Sequence, residues 1–246
     1  MPRSHAIAAI ALAATLSPPG SLAQQGDAAK ARQTPALEEV IVTANRRAES
    51  LQEVAMSVSA FSGDFFQDTG VRSLSGLDQY TPNLRITEGT DSNSTSVRIR
   101  GIGSVSTNTG IDPSVGIFID GVYQGRTGMS VGDLMDIERV EVLRGPQGTL
   151  YGKNTAAGAI SIITKTPATE FAAETELTYN SDQRLELRGL VNLPLGDSGH
   201  ATRLTGYYID GDHLYENTHN GEGLNDALNW GLNSRTILNT GTFTAG

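Results

Sequence analysis

Few residues in this chain have the types and spacings that do chemistry, and most candidates fail on inspection. Gly148, Gly152 and Lys153 have the look of a phosphate loop, but only three residues separate the glycines. Asn154 also stands where Ser or Thr would be required. Gly101 and Gly103 open a dinucleotide fingerprint that Ser106 breaks at the third glycine position. His213 and His219, with Asp210, Asp212 and Glu216, could hold a cation, although the polarity of a solvated loop accounts for the same residues. No Ser, His and Asp share a nucleophile spacing, and no paired carboxylates sit in an apolar frame. The expectation is a chain that is not an enzyme, with no cofactor and no metal.

The elements are more informative than the reactive groups. The 28 glycines fall between short apolar alternations, which favours strands and turns over long helices. A formal charge of −9 without any basic run argues against nucleic acid, whose binding needs clustered Lys and Arg. The absence of cysteine removes disulfides and thiol chemistry and leaves the redox compartment open.

Arg3 and His5 precede an 11-residue apolar run at 6–16, and Ser21 and Ala23 offer small residues at both cleavage positions. Residues 1–23 therefore read as a secretory signal, cleaved after Ala23; losing Arg3 takes the formal charge from −9 to −10. The run is too short to span a bilayer as a helix, and no later stretch is longer, so any membrane crossing must use strands.

Residues 24–49 read as a flexible linker, and within it 37–44, LEEVIVTA, is a short β-branched run with no sheet partner nearby in sequence. Its backbone groups are thus available to another chain. From 50 to 167 the style is that of a small α+β domain with a mixed sheet and short helices. Ser62 can cap a helix closing at Gly70; Ser73 can cap a second, carrying Leu74, Leu77 and Tyr80, that Pro82 stops. Strands are expected near 96–100, 115–120, 138–143 and 159–164, with Asp120 and Gly121 as a hairpin turn. The expected core is Val58, Phe61, Leu74, Leu77, Ile99, Ile117, Ile119, Val140, Val142, Ile160 and Ile162.

After Pro167, residues 168–246 carry longer strict alternations. Leu177 and Tyr179 oppose Glu176 and Thr178, Leu185 and Leu187 oppose Glu186 and Arg188, and Trp230 and Leu232 oppose Asn229 and Asn233. The pattern alone fits a soluble sandwich or a transmembrane barrel wall. Short links near 180–183 and 196–199 and a long polar segment at 211–227 favour the wall, with short turns on one side and a longer loop on the other.

Several of these segments, in this order, resemble the TonB-dependent outer-membrane receptors over essentially the whole chain after the signal. LEEVIVTA resembles the TonB box, with its flank NRRAESLQ at 45–52. VRIRGIG at 97–103, DPSVGIFIDGVY at 112–123 and IERVEVLRGPQGTLYG at 137–152 resemble plug signatures. The resemblance implies a plug domain followed by the first antiparallel strands of an incomplete β-barrel, located in the cell outer membrane. It implies import of a scarce ligand such as a ferric siderophore, cobalamin or a glycan, and a partner in the C-terminal domain of TonB with its inner-membrane motor. Outer-membrane lipid is a further partner. By resemblance Glu39, Val40, Ile41, Val42 and Thr43 bind TonB as an added strand. Arg100, Arg139 and Arg144 would form plug–barrel ion pairs, although Glu138 and Glu141 could equally pair with them inside the domain. Ligand contacts fall on 103–112, 124–133 and outer barrel loops, and no residue is singled out. A barrel of 22 strands needs roughly 220 residues before turns, so the 79 after Pro167 predict a truncated or incomplete form. The alternative reading is a soluble periplasmic plug-like module that contacts TonB without transport.

Overall fold

A computed structural model describes residues 41–44, 47, 49–88, 95–104, 111–126, 134–181, 183–196, 199–211, 215–216, 218–220, 223–224 and 227–239. The signal, most of the linker, Glu39 and Val40 lie outside them. The described chain opens on a two-residue ladder, β1 (Ile41–Val42) antiparallel to β2 (Glu49–Ser50). The last part of the expected linker is therefore paired, and β1 does have a partner close in sequence.

β3 (Ser57–Ser62) runs directly into α1 (Gly63–Thr69). Ser62 Oγ accepts from Phe65 N at 3.3 Å, and Gly70 ends the helix at φ 68, which glycine reaches without a Cβ penalty. Both ends are as expected. The next segment differs: Leu74–Gln79 is a 3-10 helix whose Ser73 makes no capping bond and pairs with Ser75 Oγ at 2.6 Å instead. The run before Pro82 is short, a length the tighter i→i+3 helix suits. β4 (Leu84–Thr87), not anticipated, pairs antiparallel with β5 (Ser96–Ile99).

β6 (Val115–Ile119) turns through Asp120 and Gly121, at φ 48 and 82, into β7 (Val122–Gln124). Positive φ at both central residues is the geometry that matches the twist of a hairpin. β8 (Ile137–Arg144), α2 (Gly148–Tyr151) and β9 (Gly158–Thr164) complete the domain. The sheet order is β3-β8-β9-β6-β7, with β6 and β9 parallel and the other pairs antiparallel.

Period-two alternation sends neighbouring side chains to opposite faces, and both faces are covered. On one face Val140, Val142, Ile160, Ile162 and Ile117 pack with Phe66, Leu74, Leu77, Leu84 and Ile99. Every expected core residue is there except Val58, with Phe61 and Ile119 only partly buried. On the other face Leu143, Ala159 and Phe118 are covered by Val42, Ala44 and Val54, with Val58 packed alongside. Val42 and Ala44 of this second layer come from the segment expected to be free.

Beyond the domain, β10 (Ala172–Tyr179), β11 (Arg184–Pro194), β12 (Ala201–Gly211) and the later β15 (Ala227–Ile237) form an antiparallel meander. Within the β12–β15 connection lie β13 (Tyr215–Glu216) and β14 (Gly223–Leu224), paired with each other. Successive strands reverse direction, so the 180–183 link lies at the same end as the long connection. Only the 195–200 turn lies at the other end, which corrects the expected grouping of the two short links.

Register carries Leu177, Leu187, Tyr208 and Trp230 into one cross-strand row on the outward face. That face is apolar and bare: Leu177 is 67% exposed, Trp230 69% and Leu232 76%. The opposite face carries Glu186, Arg188, Asn192 and Thr205, all buried against the domain. Eleven residues at about 3.3 Å each, tilted about 45°, rise roughly 25 Å, the height of the apolar band of a membrane barrel.

Candidate functional site

Glu141 organises the first candidate site. In β8 it points to the face opposite Val140 and Val142, between Ala60 and Ser161 of the neighbouring strands, and small neighbours leave room for its carboxylate. It is fully buried. Its Oε1 accepts from Thr43 N at 2.8 Å, Thr43 Oγ1 at 3.0 Å and Arg139 Nε at 2.8 Å. Arg139 Nη2 also reaches Thr43 Oγ1 at 3.4 Å, and Tyr151 donates to Thr43 O at 3.5 Å. Val42 and Ala44, on either side of Thr43, are fully buried. Of the residues expected to bind a partner as an added strand, Ile41 and Val42 are therefore paired with β2, and Thr43 is held on the sheet.

The three arginines expected to bridge domain and wall do not do so in the described residues. Arg139 pairs within the domain, with Glu138 and Glu141. Arg144 Nη1 donates to Pro82 O at 3.3 Å, and its Nε is buried without a partner among the described residues. Arg100 is exposed, at φ 53, with its Nη1 near Gly145.

The pairs that do join domain and wall mostly place the arginine on the wall. Arg203 grips Asp136 with two bonds, Nε to Oδ2 at 2.5 Å and Nη2 to Oδ1 at 2.6 Å. Arg235, directly opposite Arg203 in the β12–β15 register, donates to Thr164 O at 2.6 Å and lies 3.5 Å from Asp120 Oδ1. Asp120 in turn accepts from Thr164 N at 3.0 Å and Oγ1 at 2.7 Å. Arg72 pairs with Glu176 at 2.6 Å. Asn192, fully buried, ties the connecting segment to β11 through Ala168 N and O and Glu170 O. The signal was present in the sequence: charged residues at alternating positions of strands whose other face is apolar must face a polar partner. Which partner was not legible.

Between α1 and the wall lies a cavity of about 80 Å³ lined by Gln67, Arg72, Asp136, Lys165, Glu174 and Arg188, among others. Such a lining, with this much room, suits water. Most of the expected ligand segments, 105–110 and 127–133, lie outside the described residues, as do Asp212 and His213. Among the described residues no His, Asp and Glu group could hold a metal, and no helix is long and apolar enough to cross a membrane.

Residues 50–159 match the family model of the TonB-dependent receptor plug domain. The chain carries a TonB-dependent receptor plug. It is 33% identical over 129 residues to the pesticin receptor of Yersinia pestis, covering 52% of this chain and 19% of that protein. Against the vitamin B12 transporter BtuB of Vibrio vulnificus it is 32% identical over 183 residues, covering 72% and 28%. The crystal structure of the ferric yersiniabactin uptake receptor FyuA from Yersinia pestis superposes with a TM-score of 0.62 at 27% identity, covering 70% of this chain and 26% of that one. The chain thus spans between 19% and 28% of the length of these relatives. The FyuA superposition extends well beyond the plug, and the four-stranded meander is the start of a barrel wall.

Proposed function

We propose that this chain is the energy-receiving and gating portion of an outer-membrane receptor that imports a scarce ligand, reached through a cleaved export signal. The observation that carries the reading is the meander itself. Its outward face is bare and apolar and its inner face polar, the reverse of a water-soluble sheet, and the inner face is fastened to the plug by ion pairs. An exposed apolar face of this extent also weighs against the soluble-module alternative. The names of the relatives favour an iron–siderophore or cobalamin ligand.

Energy would enter through residues 39–43, paired as an added strand with the C-terminal domain of TonB, since main-chain hydrogen bonds supply the grip in such contacts. The exposed Arg100 and the half-buried Arg144 can meet carboxylates of barrel strands beyond these four. The test is Val42→Pro, which removes a ladder donor. Titrating the TonB C-terminal domain with a peptide of residues 37–44 should show binding that the substitution weakens at least about tenfold. Cells carrying the variant should bind ferric siderophore or cobalamin at the surface yet fail to import it. Equal import by variant and parent refutes the assignment.

A further inference from the structure

A carboxylate buried without donors is strongly destabilised, so Glu141 depends on the groups that solvate it. Two of the three donors on its Oε1 belong to Thr43, and Oε2 has no partner among the described residues. The dependence is mutual. Thr43 N, which an added strand would need, is occupied by Glu141, Thr43 O is taken by Tyr151, and Ile41 and Val42 are laddered to β2. The flanking Val42 and Ala44 are sealed against Phe118, Leu143 and Ala159. The backbone of Thr43 cannot join a partner's sheet while it stays where it is.

We infer that Glu141 is a latch: a positioning residue that holds the energy-coupling segment on the plug and withholds it from its partner until the contact opens. The inference rests on the reading of residues 39–43 given above. Glu141→Ala removes the latch, and Glu141→Gln weakens it, because hydrogen bonds to a charged acceptor are about twice as strong as neutral ones.

The chain has no cysteine, so a single introduced thiol reports its own exposure. The full chain in outer membranes, carrying Val42→Cys, is treated with a membrane-impermeant maleimide after osmotic opening of the cells. Labelling at position 42 should be slow in the parent, at least about tenfold faster with Glu141→Ala, and intermediate with Glu141→Gln. In parallel, Ile160→Cys places a thiol in the core on the opposite face of the sheet, and its labelling should stay slow throughout. No acceleration at position 42 with Glu141→Ala overturns the latch. So does parallel acceleration at positions 42 and 160 with Glu141→Gln, the milder change, because that pattern reports plug unfolding. The TonB titration with the free peptide separates the two ideas. A peptide that fails to bind sinks the energy-coupling reading and the withholding role with it, whereas a binding peptide with latch-independent labelling sinks the latch alone.

Discussion

The Arg203–Asp136 contact permits a quantitative test of how the plug is held. Both side chains are largely buried, at 13% and 6% exposure, and the two bonds run in parallel from one guanidinium edge to both carboxylate oxygens. Removing one member of a buried pair leaves the other desolvated and unpaired, a loss of about 3–5 kcal/mol; the residual exposure places Arg203→Ala near the low end, about 3 kcal/mol. Asp136 sits at φ 59, a conformation that Asn tolerates, so Asp136→Asn removes the charge without straining the backbone. Its main-chain carbonyl keeps its bond from Lys165 N in every variant. With both changes made, no unpaired charge remains, and the double variant should be less damaged than the sum of the singles by about 2 kcal/mol. The assay is urea-dependent labelling of a thiol placed by Ile160→Cys, read in the full chain for all four members of the cycle. A coupling below about 0.5 kcal/mol, the range of independent sites, refutes the clamp.

Two further outcomes follow from packing and from lipid. A Cβ at Gly158 would lie 2.4 Å from Leu143 O and 2.7 Å from Ile99 Cδ1. The carbonyl belongs to the β8–β9 ladder and cannot swing away, so Gly158→Ala should destabilise the plug by about 2–3 kcal/mol in the same thiol assay; parental labelling would show the ladder yields. Leu232→Arg places a charge on the outward face, where a position near the bilayer midplane costs roughly 2–4 kcal/mol. It should lower the yield of folded protein in the outer-membrane fraction, while Asn229→Arg on the inner face should not; equal losses would contradict the assigned faces.

The parts of the fold legible in the sequence were those set by local rules. Ser62 and Gly70 bracket α1 because a cap and a left-handed terminator act within a few residues of the helix they bound. The faces of the wall strands follow from period two. β4 escaped because Leu84 and Ile86 are only two apolar positions, and the strand exists by pairing with β5. The role of Glu141 escaped for a stronger reason. A charged residue between Val140 and Val142 reads as the wet side of a half-buried strand, and the cover that makes it dry comes from Thr43 and its neighbours, about a hundred residues earlier. The wall arginines Arg203 and Arg235 were not singled out, since a sequence shows that a charge needs a counter-charge but not from which element.

On the proposed reading, the distribution of polarity suits a removable stopper. Within the plug the contacts are apolar on both faces of the sheet, and they hold together a body that must survive being moved. Across the interface with the wall they are ion pairs, an amide tie and a gap of mixed polar and apolar lining, and the polar groups among them can exchange their partners for water. An apolar interface would resist the entry of water and fuse the two bodies. The wall contacts also gather at one end of the sheet, at Asp120, Asp136 and Thr164, whereas Thr43 is fastened to its face at Glu141 in mid-strand. Under the proposed coupling, force applied through Thr43 would load the sheet at a point different from where the wall resists it. The contacts placed to yield first are then the hydrogen bonds of Glu141, before the bidentate grip of Arg203 on Asp136.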